Sequence, residues 1–206
     1  MLAKNQSIVG RQFRGLIAGA LAWLLLPLNA SPSSSSSVPA EGHWVTTWGC
    51  GPQLTEPANL PPVPLSKSTL RQFVRATIGG KLIRVRFSNA YGTNAVGIDA
   101  ARVALTSGTG SAGAGDINTS TDKALTFRGA AAVVIPPGEV VLSDPLEFDL
   151  PALTNVAISI YFGNISDTTI NGHPGSRTTS FIQAGNVATA ASLRLTQSLA
   201  AKIAFT

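Results

Sequence analysis

Only His43 and His173 can supply an imidazole base or metal ligand in this chain, and they lie far apart with no paired spacing. Structural metal sites draw on clusters of Cys and His at short intervals, and the sequence has one cysteine, Cys50, so neither a metal cluster nor a disulfide is expected. His173 sits in a Gly/Pro-flanked loop, INGHPGS, the kind of segment that carries sites more often than strands do. As a base it would need an activated nucleophile within reach. The candidates are Ser88, Ser159, Ser176 and Ser180, none in a G-x-S-x-G elbow, with Asp144 or Asp167 to orient the ring. Cys50, in WGCGPQ, has no partner histidine in view and reads as a small buried side chain. The tract TSGTGSAGAGD lacks the Lys-Ser/Thr of a phosphate loop and reads as a surface loop.

Two other sets of residues suit binding rather than catalysis. Trp44, Trp48, Tyr91 and Tyr161 have ring faces that can stack on sugars. Arg71, Arg75, Arg84 and Arg86 recur at even spacings and would form one stripe across adjacent strands, either a solvated face or a docking surface.

Short strands must position these residues. Leu70 to Ile78 and Lys81 to Ser88 alternate, and Gly79-Gly80 between them reads as a hairpin turn. In the second of these, Ile83, Val85 and Phe87 share one face while Arg84 and Arg86 share the wet one. Further strands are expected over 96–105, 123–127, 132–135, 140–142, 145–150, 155–162 and 178–182. Over 155–162, Val156, Ile158, Ile160 and Phe162 alternate with Ala157, Ser159 and Tyr161. Turn signals between short strands predict an all-β, jelly-roll-like β-sandwich of mainly antiparallel strands. Twenty glycines and thirteen prolines disfavour a bundle of long helices.

The N-terminus is of another kind. Lys4, Arg11 and Arg14 precede an uncharged apolar run, Leu16 to Leu28, and Ala30 offers a small residue for cleavage. The run has thirteen residues, short of the roughly 20 that span a bilayer as helix, so residues 1–30 read as a signal peptide, with an uncleaved anchor as the alternative. Residues 31–40, SPSSSSSVPA, read as a tether. Removing the three basic residues of the signal leaves twelve against ten acids, a net charge of +2 on the exported part. That field is too weak to suggest nucleic acid as a partner, and no membrane association is expected once the signal is cut. The expected location is secreted or periplasmic.

Several segments together resemble a known family. HWVTTWGCGPQ, STLRQFVRATIGGKLIRVRFSNAYGTNAVGIDAARVAL, DKALTFRGAAAVVIPPGEVVLSDPLEFDLPALTNVAISIYF and TTSFIQAGN, spanning Trp44 to Asn186, are similar to the opening of exported esterases of the SGNH/GDSL hydrolase superfamily. The resemblance implies an N-terminal β-sandwich followed by a flavodoxin-like α/β domain bearing a G-D-S serine block, oxyanion-hole Gly and Asn blocks and a late D-x-x-H block. None of those blocks is found here. Gly115-Asp116 is followed by Ile117, Asp144 and Asp167 have no histidine three residues on, and Gly163-Asn164 and Gly185-Asn186 lack the family's context. The family usually has a tryptophan before the late-loop histidine, where this chain has Asn171-Gly172. No catalytic residue can be carried over.

The resulting expectation is a β-sandwich accessory domain over 41–187, with 188–206 a linker or the truncated start of a missing hydrolase domain. It would be inactive alone, would need no cofactor or metal, and would partner an SGNH-type catalytic domain encoded downstream or acting in trans. The expected binding residues are His173, Trp44, Trp48, Tyr91, Arg84 and Arg86, toward an ester or glycan substrate. The alternative is a stand-alone carbohydrate- or surface-binding module.

Overall fold

In the computed structural model, residues 44–107, 115–166, 169–173 and 178–193 are described, and they belong to a unit that starts at Trp44. The expected signal peptide and tether, His43, most of the Gly-rich loop, Asp167, Ser176 and residues 194–206 lie outside the described residues. The fold is all-β and antiparallel throughout its pairings. In chain order the strands are β1 (Gln53–Leu54), β2 (Ser68–Ala76), β3 (Gly80–Ile83), β4 (Arg86–Ser88), β5 (Val96–Leu105), β6 (Gly115–Asp116) and β7 (Lys123–Ala124). They continue with β8 (Val133–Ile135), β9 (Val140–Leu142), β10 (Leu146–Leu150), β11 (Thr154–Phe162), β12 (Asn171–Gly172), β13 (Phe181–Ala184) and β14 (Ser192–Leu193). No helix among the described residues is long and apolar enough to cross a membrane.

The largest sheet has the order β13-β2-β11-β5-β7, with β8 also on β5. Its register explains its core. Val156 lies between Val74 and Leu105, Ile158 between Gln72 and Val103, and Ile160 between Leu70 and Ala101. Because side chains alternate along a strand, these rows build one apolar face. A second ladder covers it. β3 pairs with β10 and β4 with β9, and between them the Ser143 amide donates to the Val85 carbonyl at 2.9 Å while the Val85 amide donates to Ser143 Oγ at 3.0 Å. Residues 80–88 therefore run along 140–150, and Phe87, Phe148 and Leu150 join Leu70, Val103, Ile158 and Ile160 in one core. Arg84 and Arg86 stay exposed while Ile83, Val85 and Phe87 turn inward, as the alternation predicts.

Two expectations are corrected. Gly79-Gly80 is not a hairpin turn, since β2 and β3 never pair. Both glycines lack the positive φ that two-residue hairpin turns demand. The chain instead crosses from the large sheet to the ladder, and it passes so close to another strand end that a Cβ on Gly79 would lie 2.6 Å from the Leu150 carbonyl oxygen and 2.8 Å from the Ala152 nitrogen. The residue is glycine because of that approach. A two-residue turn does occur at Arg128-Gly129, both at positive φ, where Phe127 and Ala130 exchange backbone hydrogen bonds.

The far face of the large sheet is covered as well. Ala157 and Ser159 are as buried as their neighbours. They lie under β6 and β14, which pair with each other, and Ile117 packs there with Ala104, Ala157 and Phe73. Phe73 and Phe181 meet edge to face at 5.8 Å.

The second correction follows from this cover. Arg71 belongs to no surface stripe: it is fully buried on this covered face. Its Nε donates to Ser159 Oγ at 2.7 Å, Nη1 to the Gly115 carbonyl at 2.7 Å, and Nη2 to the Ala188 and Ala190 carbonyls at 3.0 and 2.8 Å. Burial pulls its pKa down to about 10, partly offset by Asp122 and Asp116, so it is charged at neutral pH. One side chain thus ties β2 and β11 to two covering segments. Structured chain continues past Val187, with Ala188 and Leu193 both buried.

Candidate binding site

The first described residues form no strand, yet they are firmly held. Thr47 Oγ1 donates to the Ile78 carbonyl at 2.8 Å and accepts from the Thr77 and Ile78 amides at 3.0 and 2.9 Å. Thr77 Oγ1 returns a hydrogen bond to the Thr47 carbonyl at 2.8 Å. A short polar side chain at 47 therefore latches residues 44–48 to the end of β2, and this latch sets the two tryptophans beside the ladder. The Arg84 guanidinium carbon lies 5.1 Å from the Trp44 ring centroid, within cation–π range. Trp44 is 52% exposed, whereas Trp48 is half-buried against the core.

Behind this corner lies a cavity of about 100 Å³ lined by Thr47, Trp48, Arg84 and Arg86 together with core valines, isoleucines, Ala76 and Leu150. Four of the expected binding residues, Trp44, Trp48, Arg84 and Arg86, are therefore brought together. The latch residues Thr47 and Thr77 carried no signal in the sequence beyond being polar beside a strand end.

Asp144 stands near the same ladder and holds the Arg128-Gly129 turn. It accepts from the Gly129 amide and Thr126 Oγ1, both at 2.7 Å, and from the Arg128 amide at 2.9 Å. The Gly129 hydrogen bond first and then that of Thr126, with smaller contributions from the Arg128 amide and the charge of Arg84, hold its carboxyl below the usual range against an opposing effect of burial. It is a turn residue, and His173, the described histidine, is not among its partners.

Tyr91 and His173 occupy a different place, organised by Asn171. This buried side chain donates from Nδ2 to the Ser88 carbonyl at 2.7 Å and to Ser88 Oγ at 3.0 Å, and its Oδ1 accepts from the Tyr91 amide at 2.9 Å. β12, which contains Asn171, pairs with β1 and leads directly into half-buried His173. β4 connects the two regions, with Arg86 at one end and Ser88 at the other. Asn171 stands where the family resemblance leads one to expect a different residue, and its organising role was not apparent from the sequence.

No described serine is paired with His173. Ser88 Oγ accepts from Asn171 and from the Ala90 amide, Ser159 Oγ accepts from Arg71, and Ser180 Oγ accepts from Gln72. Cys50 is half-buried rather than fully buried. Burial pushes its thiol above the ordinary value, which lowers the fraction of reactive thiolate. Among the described residues no group of three or more His, Cys, Asp or Glu side chains converges to hold a metal ion. No protein-family model matches this chain, and no curated protein is significantly similar to it.

Proposed function

We propose that this chain is a non-catalytic binding domain: the N-terminal accessory domain of an exported SGNH/GDSL-type esterase, a jelly-roll-like β-sandwich that positions substrate or stabilises a catalytic domain. The observation that carries the binding part is the corner where Trp44 stacks on Arg84 and where Trp48 and Arg86 line an apolar cavity. The large sheet and the ladder sharing one core support the sandwich reading. Acyl transfer needs a nucleophile, a base and oxyanion donors in one place, and no described serine hydroxyl is paired with His173. The esterase part rests on the resemblance across Trp44 to Asn186, as do export to the periplasm or medium and the expected catalytic partner.

The test is the DNA 3′ of codon 206, read in all three frames. A G-D-S block followed by D-x-x-H is the expected result, and their absence would overturn the esterase assignment. Turnover of an activated acyl ester by the purified chain, lost in H173A, would overturn the non-catalytic reading. A stand-alone glycan-binding module is the second reading, favoured by the exposed rings of Trp44 and Tyr91. Retention on a polysaccharide column, abolished in W44A or Y91A, would decide for it.

A further inference from the structure

Two stretches of the chain have the Asn-x-Ser pattern that accepts an N-linked glycan, Asn118-Thr119-Ser120 and Asn164-Ile165-Ser166. The fold treats them differently. Asn118, Thr119 and Ser120 are all exposed, and they open a short 3-10 turn over Thr119–Thr121. In the second stretch only Asn164 is exposed. Ile165 packs against the core and its amide donates to Ser66 Oγ at 3.2 Å, while Ser166 is half-buried.

At Asn118 the side chain's structural work falls to one atom. Oδ1 accepts from the Ser120 amide at 3.1 Å and from Ser120 Oγ at 2.7 Å, which caps the turn. The backbone is anchored separately. The Asn118 amide donates to the Leu105 carbonyl at 2.8 Å, and the Asn118 carbonyl accepts from the Thr121 amide at 3.0 Å and from Thr121 Oγ1 at 2.7 Å. Nδ2 donates to no described residue. An aspartate would cap the turn as well, so the fold makes no use of the amide nitrogen. The motif's amide and hydroxyl thus meet at the surface on firmly held backbone, with the nitrogen free.

We propose that Asn118, and not Asn164, is an N-glycosylation site, and that its glycan is an oligosaccharide transferred from a polyprenyl diphosphate carrier during export. Nδ2 forms a bond to C1 of the first sugar, and the C1–O bond to the diphosphate breaks. The polyprenyl diphosphate leaves, and the proton lost from Nδ2 passes to a base of the membrane transferase. Asn118 follows β6, which covers the face of the large sheet opposite the ladder, so the glycan is attached on the other side of the core from Arg84 and Arg86. The inference rests on export and is independent of the esterase and binding readings.

The experiment is translation of the full chain with microsomal membranes that hold the transferase and its lipid-linked sugar. Protection from added protease reports entry, and a mass step removed by peptide:N-glycosidase reports the glycan. The expected result is a protected chain with a single step. N118D abolishes the step while keeping the capping oxygen. T119P abolishes it because proline at the middle position blocks the motif. That proline suits the fold, since Thr119 opens the turn and Asn118 already has extended backbone, φ −77° and ψ 100°. S120T keeps the step, and so does N164D. A protected chain without a step overturns the proposal and leaves export standing. So does a step that N118D leaves in place or that N164D removes. A chain left open to the protease overturns export and this proposal together.

Discussion

Arg71 and the Arg84/Arg86 pair have the same chemistry, yet the fold treats them in opposite ways. Arg71 lies on a central-sheet face that β6, β14 and residues 187–191 cover, so its guanidinium has lost its water and donates four hydrogen bonds to a hydroxyl and three carbonyls. Arg84 and Arg86 lie on the outer face of the ladder, where only Trp44 is seen to stack on Arg84, and both stay exposed. The buried arginine spends its donors on backbone and acts as a clasp between layers. The exposed pair retains donors that can meet a ligand. Coverage of the face, and not residue type or strand alternation, separates a buried structural arginine from an exposed one.

That contrast is broken most directly by R71A, which leaves three carbonyls and a serine hydroxyl buried without their donor. The expected loss is about 3–5 kcal/mol in a urea unfolding titration, and a loss below that of R86A would refute the clasp. S159A removes a single acceptor of the same guanidinium and should cost about 1.5–3 kcal/mol in the same measurement.

On the exposed side, R84A forfeits the Trp44 stack, worth about 0.5–1 kcal/mol, and also acts on Asp144. Since Asp144 is held below its usual pKa, its charged form stabilises the fold above its unfolded value of about 3.9, and that contribution is lost as pH falls through the folded value. Removing the nearby cation should move the Asp144 carboxyl titration upward, followed by NMR, and shift acid unfolding to higher pH. R86A, with no partner among the described residues, should change stability by less than about 0.5 kcal/mol. Its effect should appear in binding alone.

Much of the strand pattern was legible in the sequence because period-two alternation survives local reading. The strand expected over 96–105 is β5 to the residue, and Ile83, Val85 and Phe87 turn inward as written. Misreadings arose where the decisive neighbour lies far along the chain. Gly79 looks like a turn glycine until the Leu150 carbonyl is placed beside it. Arg71 looks like one of a surface stripe until Ser159 and the Gly115 carbonyl are placed against its guanidinium. Within the candidate site, the aromatic and arginine residues stood out by type. The latch of Thr47 on Ile78 and the clamp of Asn171 on Ser88 did not, because each is a single polar residue whose partner is at least 31 positions away.

The order of apolar and polar residues along the chain thus sufficed for an all-β class, most strand positions and the inward side of each edge strand, since those depend on a residue and its neighbours two places away. Pairing partners, the covering of the second sheet face and the gathering of Trp44, Trp48, Arg84 and Arg86 around one cavity depend on contacts between distant segments. Such contacts are chosen by the joint burial of many side chains, and no local pattern encodes which distant segment will supply the lid.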